Sequence, residues 1–209
     1  MKLLIIGAAG ILGSRILQEA VSRGHDVTAV VRREGALSSE QDVRVVQADV
    51  RDAGVAASIF AGHDAVVVAV SARRGGDAPV PEVVRAAIDG ARDASVTRLF
   101  VLGGAGSLEV APGVQLLDAP GFPEAYRAEA IQGREALNVI RDSDVNWTYL
   151  SPAAEISPGE RTGRYRVGGD QLLTDAEGKS FISAEDYAVA VLDELEHPRH
   201  ERQRFTVAY

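Results

Sequence analysis

The sequence predicts an α/β fold: a doubly wound parallel sheet with a small C-terminal elaboration. Three observations predict it. Short apolar runs alternate with helix-patterned stretches through residues 1–150. The runs are apolar throughout instead of alternating with polar residues, as strands buried on both faces must be. The first run ends in a glycine-rich turn that opens directly into a helix, the rhythm of βαβ crossovers.

The elements follow in order. Residues 3–6 form the first strand and stop at Gly7. Ile11, Leu12, Ile16, Leu17 and Ala20 recur at helical spacing, and Gly24 closes that helix. Residues 27–31 and 43–46 are the second and third strands. Val55, Ile59 and Phe60 mark a short helix, and residues 65–70 the fourth strand. Val83, Val84, Ala87 and Ile88 mark a helix opened by Pro79 and Pro81. The fifth strand spans 99–102, a helix 124–141 and the sixth strand 147–150. After Pro152 the rhythm breaks. Residues 165–167 and 172–174 read as two short strands around Gly168-Gly169. Ser183 opens a helix with Asp186 as its capping-box partner, Leu195 ends it before Pro198, and 205–208 form a last strand. There is no repeat, low-complexity tract or linker, so residues 1–209 read as one domain. The segment 153–209 elaborates it on the substrate side. Residues 103–123, rich in glycine and proline, read as a long functional loop at the strand ends.

Composition excludes several functions. Hydrophobic residues make up 46% and charged residues 25%, an ordinary globular balance. No run approaches the ~18 apolar residues of a membrane span. The apolar start, residues 1–7, is short and lacks a cleavage site, so no signal peptide is expected and a cytoplasmic location is. A net charge of -8 argues against nucleic-acid binding. With no cysteine, disulfides, zinc-thiolate sites and thiol nucleophiles are excluded. His25, His63, His197 and His200 lack ligand spacing, so no metal site is expected. Nothing in the sequence sets an oligomeric state.

The strongest chemical signal is Gly7-Ala8-Ala9-Gly10-Ile11-Leu12-Gly13. Gly7 allows the tight turn, Gly10 lets backbone approach a pyrophosphate, and Gly13 lets the helix pack on the sheet. The helix N-terminus favours the phosphate charge. A bound dinucleotide is the favoured reading, and a packing turn without ligand is the plain alternative. At the end of the second strand an NAD binder usually places an acid. Here stand Arg32 and Arg33, whose guanidinium forks suit a 2′-phosphate, so NADP(H) is favoured over NAD(H). A solvated basic turn is the alternative. Asp49-Val50 ends the third strand, beside the adenine; Asp49 either accepts from the adenine amino group or caps the next helix. Val70 and Ser71 end the fourth strand along the ribose and nicotinamide, mostly through backbone. Arg73-Arg74-Gly75-Gly76 reads as a solvated loop, with attraction of an acidic substrate as the alternative.

These residues, with Leu102-Gly103-Gly104-Ala105-Gly106-Ser107, Trp147-Thr148-Tyr149-Leu150-Ser151-Pro152 and Ile182-Ser183-Ala184-Glu185-Asp186-Tyr187-Ala188, resemble an atypical short-chain dehydrogenase/reductase. The branch is the NAD(P)H-binding, NmrA-like one, similar to flavin and biliverdin-IXβ reductases. The resemblance covers essentially the whole chain. It implies a Rossmann fold, Gly103 at the cofactor, and Pro152-Ala153 near the nicotinamide carboxamide. It also implies a substrate pocket walled by residues 103–123 and 153–181.

The departures from that superfamily matter as much. Its members use Tyr-x-x-x-Lys plus a serine at the end of the fifth strand, the lysine lowering the tyrosine pKa for proton transfer. Here Gly103-Gly104 replaces the serine and Ala130 stands four residues after Tyr126. The only lysines are Lys2 and Lys179. Tyr126 is the candidate acid, with a pocket-lining aromatic as the favoured alternative. Ser107 is a candidate donor to a substrate carbonyl, or a plain loop serine. The expected function is an NADPH-dependent reductase passing hydride to a planar acceptor such as a flavin or quinone, which needs no protein acid. The alternatives are a non-catalytic NADP(H) sensor and, behind it, an epimerase or dehydratase with retained cofactor.

Overall fold

The computed structural model describes residues 1–37, 43–52, 54–72 and 79–209. In chain order the first half runs β1 (Lys2–Ile6), α1 (Ile11–Ser22), β2 (Asp26–Val31), β3 (Val43–Gln47), α2 (Val55–Phe60), β4 (Ala65–Val68), α3 (Val80–Asp93) and β5 (Arg98–Leu102). A 3-10 turn (Ala105–Ser107), the hairpin β6 (Glu109–Ala111) and β7 (Val114–Gln115), and a second 3-10 turn (Leu116–Asp118) lead to α4 (Glu124–Arg141) and β8 (Trp147–Ser151). Then come β9 (Glu155–Ser157), β10 (Arg166–Gly168), β11 (Phe181–Ser183), α5 (Ala184–Glu196) and β12 (Gln203–Ala208).

The main sheet has eight strands in the order β10-β12-β8-β5-β4-β1-β2-β3. Every neighbouring pair is parallel except β10 with β12, an antiparallel edge. Alternate side chains of β1 explain its unbroken apolar run. Leu3 and Ile5 pack with Ile16, Leu17 and Ala20 of α1 and with Tyr187, Val191 and Leu195 of α5. Leu4 and Ile6 face the other way, into Phe60 of α2, Val84 and Ile88 of α3, and Leu137 and Ile140 of α4. A sheet covered on both faces has no polar side to show in its sequence.

From β1 the chain winds outward through β2 and β3, then returns to β4 on the other side of β1. That reversal opens a crevice beyond the carboxyl ends of β1 and β4, where doubly wound sheets take their ligands. Among the described residues no helix is long and apolar enough to cross a membrane.

Three expectations need correction. The fourth strand stops at Val68, where its pairing with β5 ends at Val101; the Ala69 carbonyl turns toward Gly7 instead. Residues 172–174 form no strand, because the Leu172 N–H donates to Glu109 of the hairpin and Leu173 folds against Gly168. The helix at Ser183 has only half of a capping box. Ser183 Oγ accepts from the Asp186 N–H at 3.0 Å, but the Asp186 carboxylate turns away to the segment before β10.

Candidate active site

The β1–α1 turn is built by two glycines that the fold itself requires and a third that it does not. Gly7 has φ +84, a left-handed conformation, and a Cβ there would lie 2.4 Å from the Ala69 carbonyl oxygen. A Cβ on Gly13 would lie 2.1 Å from the Gly7 carbonyl oxygen, so its absence lets α1 rest on the strand end. Gly10 is ordinary extended backbone, φ -76 and ψ 170, and a Cβ there would meet Gly7 O at 3.2 Å and Ala69 O at 3.9 Å. Ala9, Gly10 and Ile11 are exposed, and Gly10, the N-cap of α1, has no side-chain capping bond. The first turn of α1 therefore presents unsatisfied N–H groups and its dipole to solvent, with no acidic residue in that turn to oppose an anion. This set fits a pyrophosphate: donors and field come from Ile11, Leu12 and Gly13, and room comes from the bare Gly10, whose own N–H donates to the Gly7 carbonyl. Val70 borders the same crevice, its Cγ1 being 3.3 Å from where a Gly7 Cβ would stand.

Arg32 and Arg33 follow β2 and are exposed, where two guanidiniums are free to meet a phosphate at the strand end. Asp49 takes two bonds from the Arg51 side chain, Nε to Oδ1 at 3.0 Å and Nη2 to Oδ2 at 2.6 Å. The Arg51 guanidinium holds the Asp49 carboxyl below the usual carboxylate range, against a smaller opposing effect of burial. The helix-cap alternative for Asp49 fails, since Gly54 is the N-cap of α2. The Val50 side chain is buried with the α2/α3 core, so only its backbone is open to the crevice.

At the other end of the crevice, α4 reaches across to the end of β4. Ser71 Oγ donates to Glu129 Oε1 at 2.9 Å, and Gln132 Oε1 accepts from the Val80 N–H at 2.9 Å. Tyr126 lies one helical turn before Glu129 on the same side of α4 and is 47% exposed. Arg73-Arg74-Gly75-Gly76 lies outside the described residues.

Packing explains why glycine and alanine stand at 103 and 130. A Cβ on Gly103 would lie 2.0 Å from the Tyr149 ring, so Tyr149 fills the place that a serine would need. Tyr149 itself is fully buried, donates to the Gly133 carbonyl at 2.8 Å, and has its phenol pushed well above its usual pKa by burial. It is no acid for a substrate. Ala130 is buried against Gly106, where an added Cβ would come within 2.7 Å of the Ala130 Cβ. A lysine at 130 would point into that packing and not at a ligand.

Two further expectations change. Ser107 is 2% exposed and accepts from Arg204 Nη1 at 3.2 Å, in a buried cluster that also ties Arg204 to Asp170. It packs beneath the hairpin instead of facing a substrate carbonyl. Pro152 and Ala153 have buried side chains, so only their backbone can approach a nicotinamide; Ala154 is the first exposed residue after β8. Three of the four histidines make structural contacts: His25 pairs with Glu196, His63 with Thr28 and His200 with Glu194. Glu129 and Arg51 were not read from the sequence. Glu129 had a signal, an acid one turn after Tyr126, but a solvated helix face predicts the same pattern.

Comparison with known proteins bears on this crevice. A family model described as NAD(P)H-binding matches residues 7–198. A candidate exported protein of Burkholderia pseudomallei has the same fold with a TM-score of 0.92, 47% identity and 100% of each chain covered. A candidate epimerase of Bacteroides thetaiotaomicron superposes with a TM-score of 0.90 and 40% identity, covering 100% of this chain and 96% of that one. A candidate NADH-flavin reductase of Streptococcus pneumoniae TIGR4 superposes with a TM-score of 0.86 and 35% identity, covering 100% and 99%.

Proposed function

The chain belongs to the NAD(P)H-binding family, and on that premise we propose that it is an NADPH-dependent reductase acting on a planar acceptor such as a flavin or quinone. The observation that carries the proposal is a phosphate-ready crevice beside a face without a proton relay, where Tyr149 occupies the serine position and Ala130 packs on Gly106. The bound cofactor would supply a hydride, two electrons and a proton's mass, to a ring whose second proton comes from solvent. The protein's part is orientation and exclusion of water. The α1 N-terminus holds the diphosphate, Arg32 and Arg33 hold the 2′-phosphate, and Tyr126 offers an exposed ring for a flat acceptor to lie on. Reduction of a simple ketone leaves an alkoxide that needs an acid, and this face is ill suited to it. The likeness to a candidate NADH-flavin reductase supports the acceptor class.

A second reading is an epimerase that retains its cofactor, favoured by the 40% identical candidate epimerase. A third is a sensor that binds NADP(H) without consuming it, which the missing relay also favours. NADPH and NADH oxidation measured against a panel of flavins, quinones and small carbonyls separates the three. The reductase consumes cofactor stoichiometrically with a flavin or quinone. Tight binding without net consumption against any acceptor overturns the reductase reading.

A further inference from the structure

We propose that Arg15 adds a full positive charge to the open end of α1 and, together with that helix terminus, holds the cofactor's diphosphate. The inference rests on the dinucleotide reading above and adds a binding residue to it. Arg15 stands one turn after Ile11 on the same side of α1. Its side chain runs back toward the helix start, where Nη1 donates to the Ile11 carbonyl at 3.0 Å. Three bonds separate the carbonyl oxygen of a residue from its own amide nitrogen, so the guanidinium lies within about 7 Å of the Ile11 N–H. That N–H is one of the donors left open at the terminus. The helix dipole supplies only roughly +0.5 of a charge there, so a whole arginine charge at this range is the larger field.

Glu185 fixes where that charge sits without cancelling it. Its Oε1 accepts from Arg15 Nε at 3.0 Å and its Oε2 from the Gly159 N–H at 2.7 Å. Glu185 also stands in the first turn of α5, against the positive end of that helix. Its negative charge is therefore shared among three positive partners. The second guanidinium nitrogen contact, Nη1 to Ser14 Oγ at 3.5 Å, also lies within the first turns of α1, so Arg15 is placed before a ligand arrives. The Arg15 side chain is 27% exposed, and water screens it only in part. The diphosphate is common to NADPH and NADH, so Arg15 serves both, whereas a contact to the 2′-phosphate serves NADPH alone.

The test separates charge from packing. Calorimetric titration with NADH isolates the diphosphate, because NADH lacks the 2′-phosphate; NADPH takes its place where NADH binding is too weak to measure. Arg15→Gln should weaken binding by about tenfold, and Arg15→Lys, which keeps the charge, by less than about threefold. Glu185→Gln breaks the ion pair but leaves Arg15 cationic, so it should hold or tighten dinucleotide binding. If Arg15 only docks α1 on α5, Glu185→Gln weakens binding as Arg15→Gln does. A loss above about threefold in Glu185→Gln, a loss below about threefold in Arg15→Gln, or equal losses in Arg15→Gln and Arg15→Lys overturn the inference. Failure of the unmutated protein to bind either dinucleotide is a different result, and sinks the cofactor reading itself. Ligand-free thermal unfolding of each variant separates a lost charge from a damaged fold; where Glu185→Gln is damaged, the two Arg15 variants decide.

Discussion

α1 and α5 lie side by side on one face of the sheet, and their N-termini are finished in opposite ways. At α5, Ser183 caps the Asp186 N–H, and Glu185 and Asp186 stand in the first turn against the positive end of the dipole. Each of those acids is also engaged elsewhere. Glu185 accepts from Arg15 and from the Gly159 N–H, and Asp186 from the Gly163 N–H and the Thr162 hydroxyl. At α1 the cap is a glycine, no acid stands in the first turn, and Ile11 is 43% exposed. The two termini start from the same backbone physics. One is closed by its own side chains and anchors the segment over it; the other leaves its donors open to solvent. Open hydrogen-bonding capacity beside a sheet crevice, and not glycine count, is what distinguishes the two ends.

The largest effect that tests this contrast comes from exchanging roles among the α1 glycines. Gly13→Ala places a methyl against the Gly7 carbonyl and should lower stability by ~3 kcal/mol, a thermal midpoint loss of roughly 6–12 °C. Gly10→Val should leave the midpoint within about 4 °C yet weaken NADPH binding at least ~100-fold, because its side chain enters the phosphate path. Circular dichroism and calorimetric titration measure the two. A Gly10→Val protein that still binds tightly would mean that the open terminus of α1 is not the phosphate site.

Arg32→Ala sharpens the ligand side of the comparison. Charge-assisted bonds to a 2′-phosphate contribute ~1.5–3 kcal/mol, so NADPH affinity should fall by more than tenfold while NADH affinity stays nearly constant. Equal affinity of the unmutated protein for the two cofactors would remove the basis for NADPH preference.

On the closed side, Asp186 supplies an acid-dependent effect. Burial alone would raise its pKa, but the bonds it accepts from Thr162, Tyr209 and the Gly163 N–H outweigh that and hold it below the ordinary aspartate value. A depressed folded-state pKa contributes stability above the unfolded value, near ~3.9, and loses it as pH falls through the folded value. Asp186→Asn should therefore destabilise the protein by ~1–2 kcal/mol at pH 7 and flatten the loss of stability below about pH 4. Denaturant titrations from pH 7 to 3 compare the two proteins. Parallel acid profiles would show that Asp186 is not the group that couples this terminus to pH.

The smallest effect is expected at Tyr126. Tyr126→Phe keeps the ring and should alter turnover with the best flavin or quinone acceptor by only a few-fold. A proton donor would lose at least ~100-fold. A loss of that size with cofactor affinity intact would establish an acid on a face that lacks a lysine relay.

Local sequence was enough for most of the scaffold. The run at 3–6, the helical spacing from Ile11 to Ala20 and the glycine at 24 located β1 and α1 closely, because each depends on neighbours within a few residues. Residues 124–141 were bounded as observed, because Pro123 and the apolar spacing set the helix locally. Residues 172–174 misled for the converse reason. Their β-prone side chains satisfy the strand pattern, but the decisive bond runs from Leu172 to Glu109, 63 positions earlier in the chain.

The site divides along the same line. Gly7, Gly10 and Gly13 and the arginines after β2 stand in fixed sequence relation to a strand–turn–helix unit, so their roles are readable without the rest of the molecule. The assignment of Ser107 as a pocket hydroxyl, the reason that Gly103 is bare and the pairing of Ser71 with Glu129 depend on partners from other elements: Arg204 on β12, Tyr149 on β8 and α4 itself. The sequence by itself determined the doubly wound topology and the open helix terminus, since both follow from apolar runs and backbone chemistry over short spans. Only the tertiary structure decided which side chains face the crevice, because a direction in space is set by which distant strand or helix already occupies the other side.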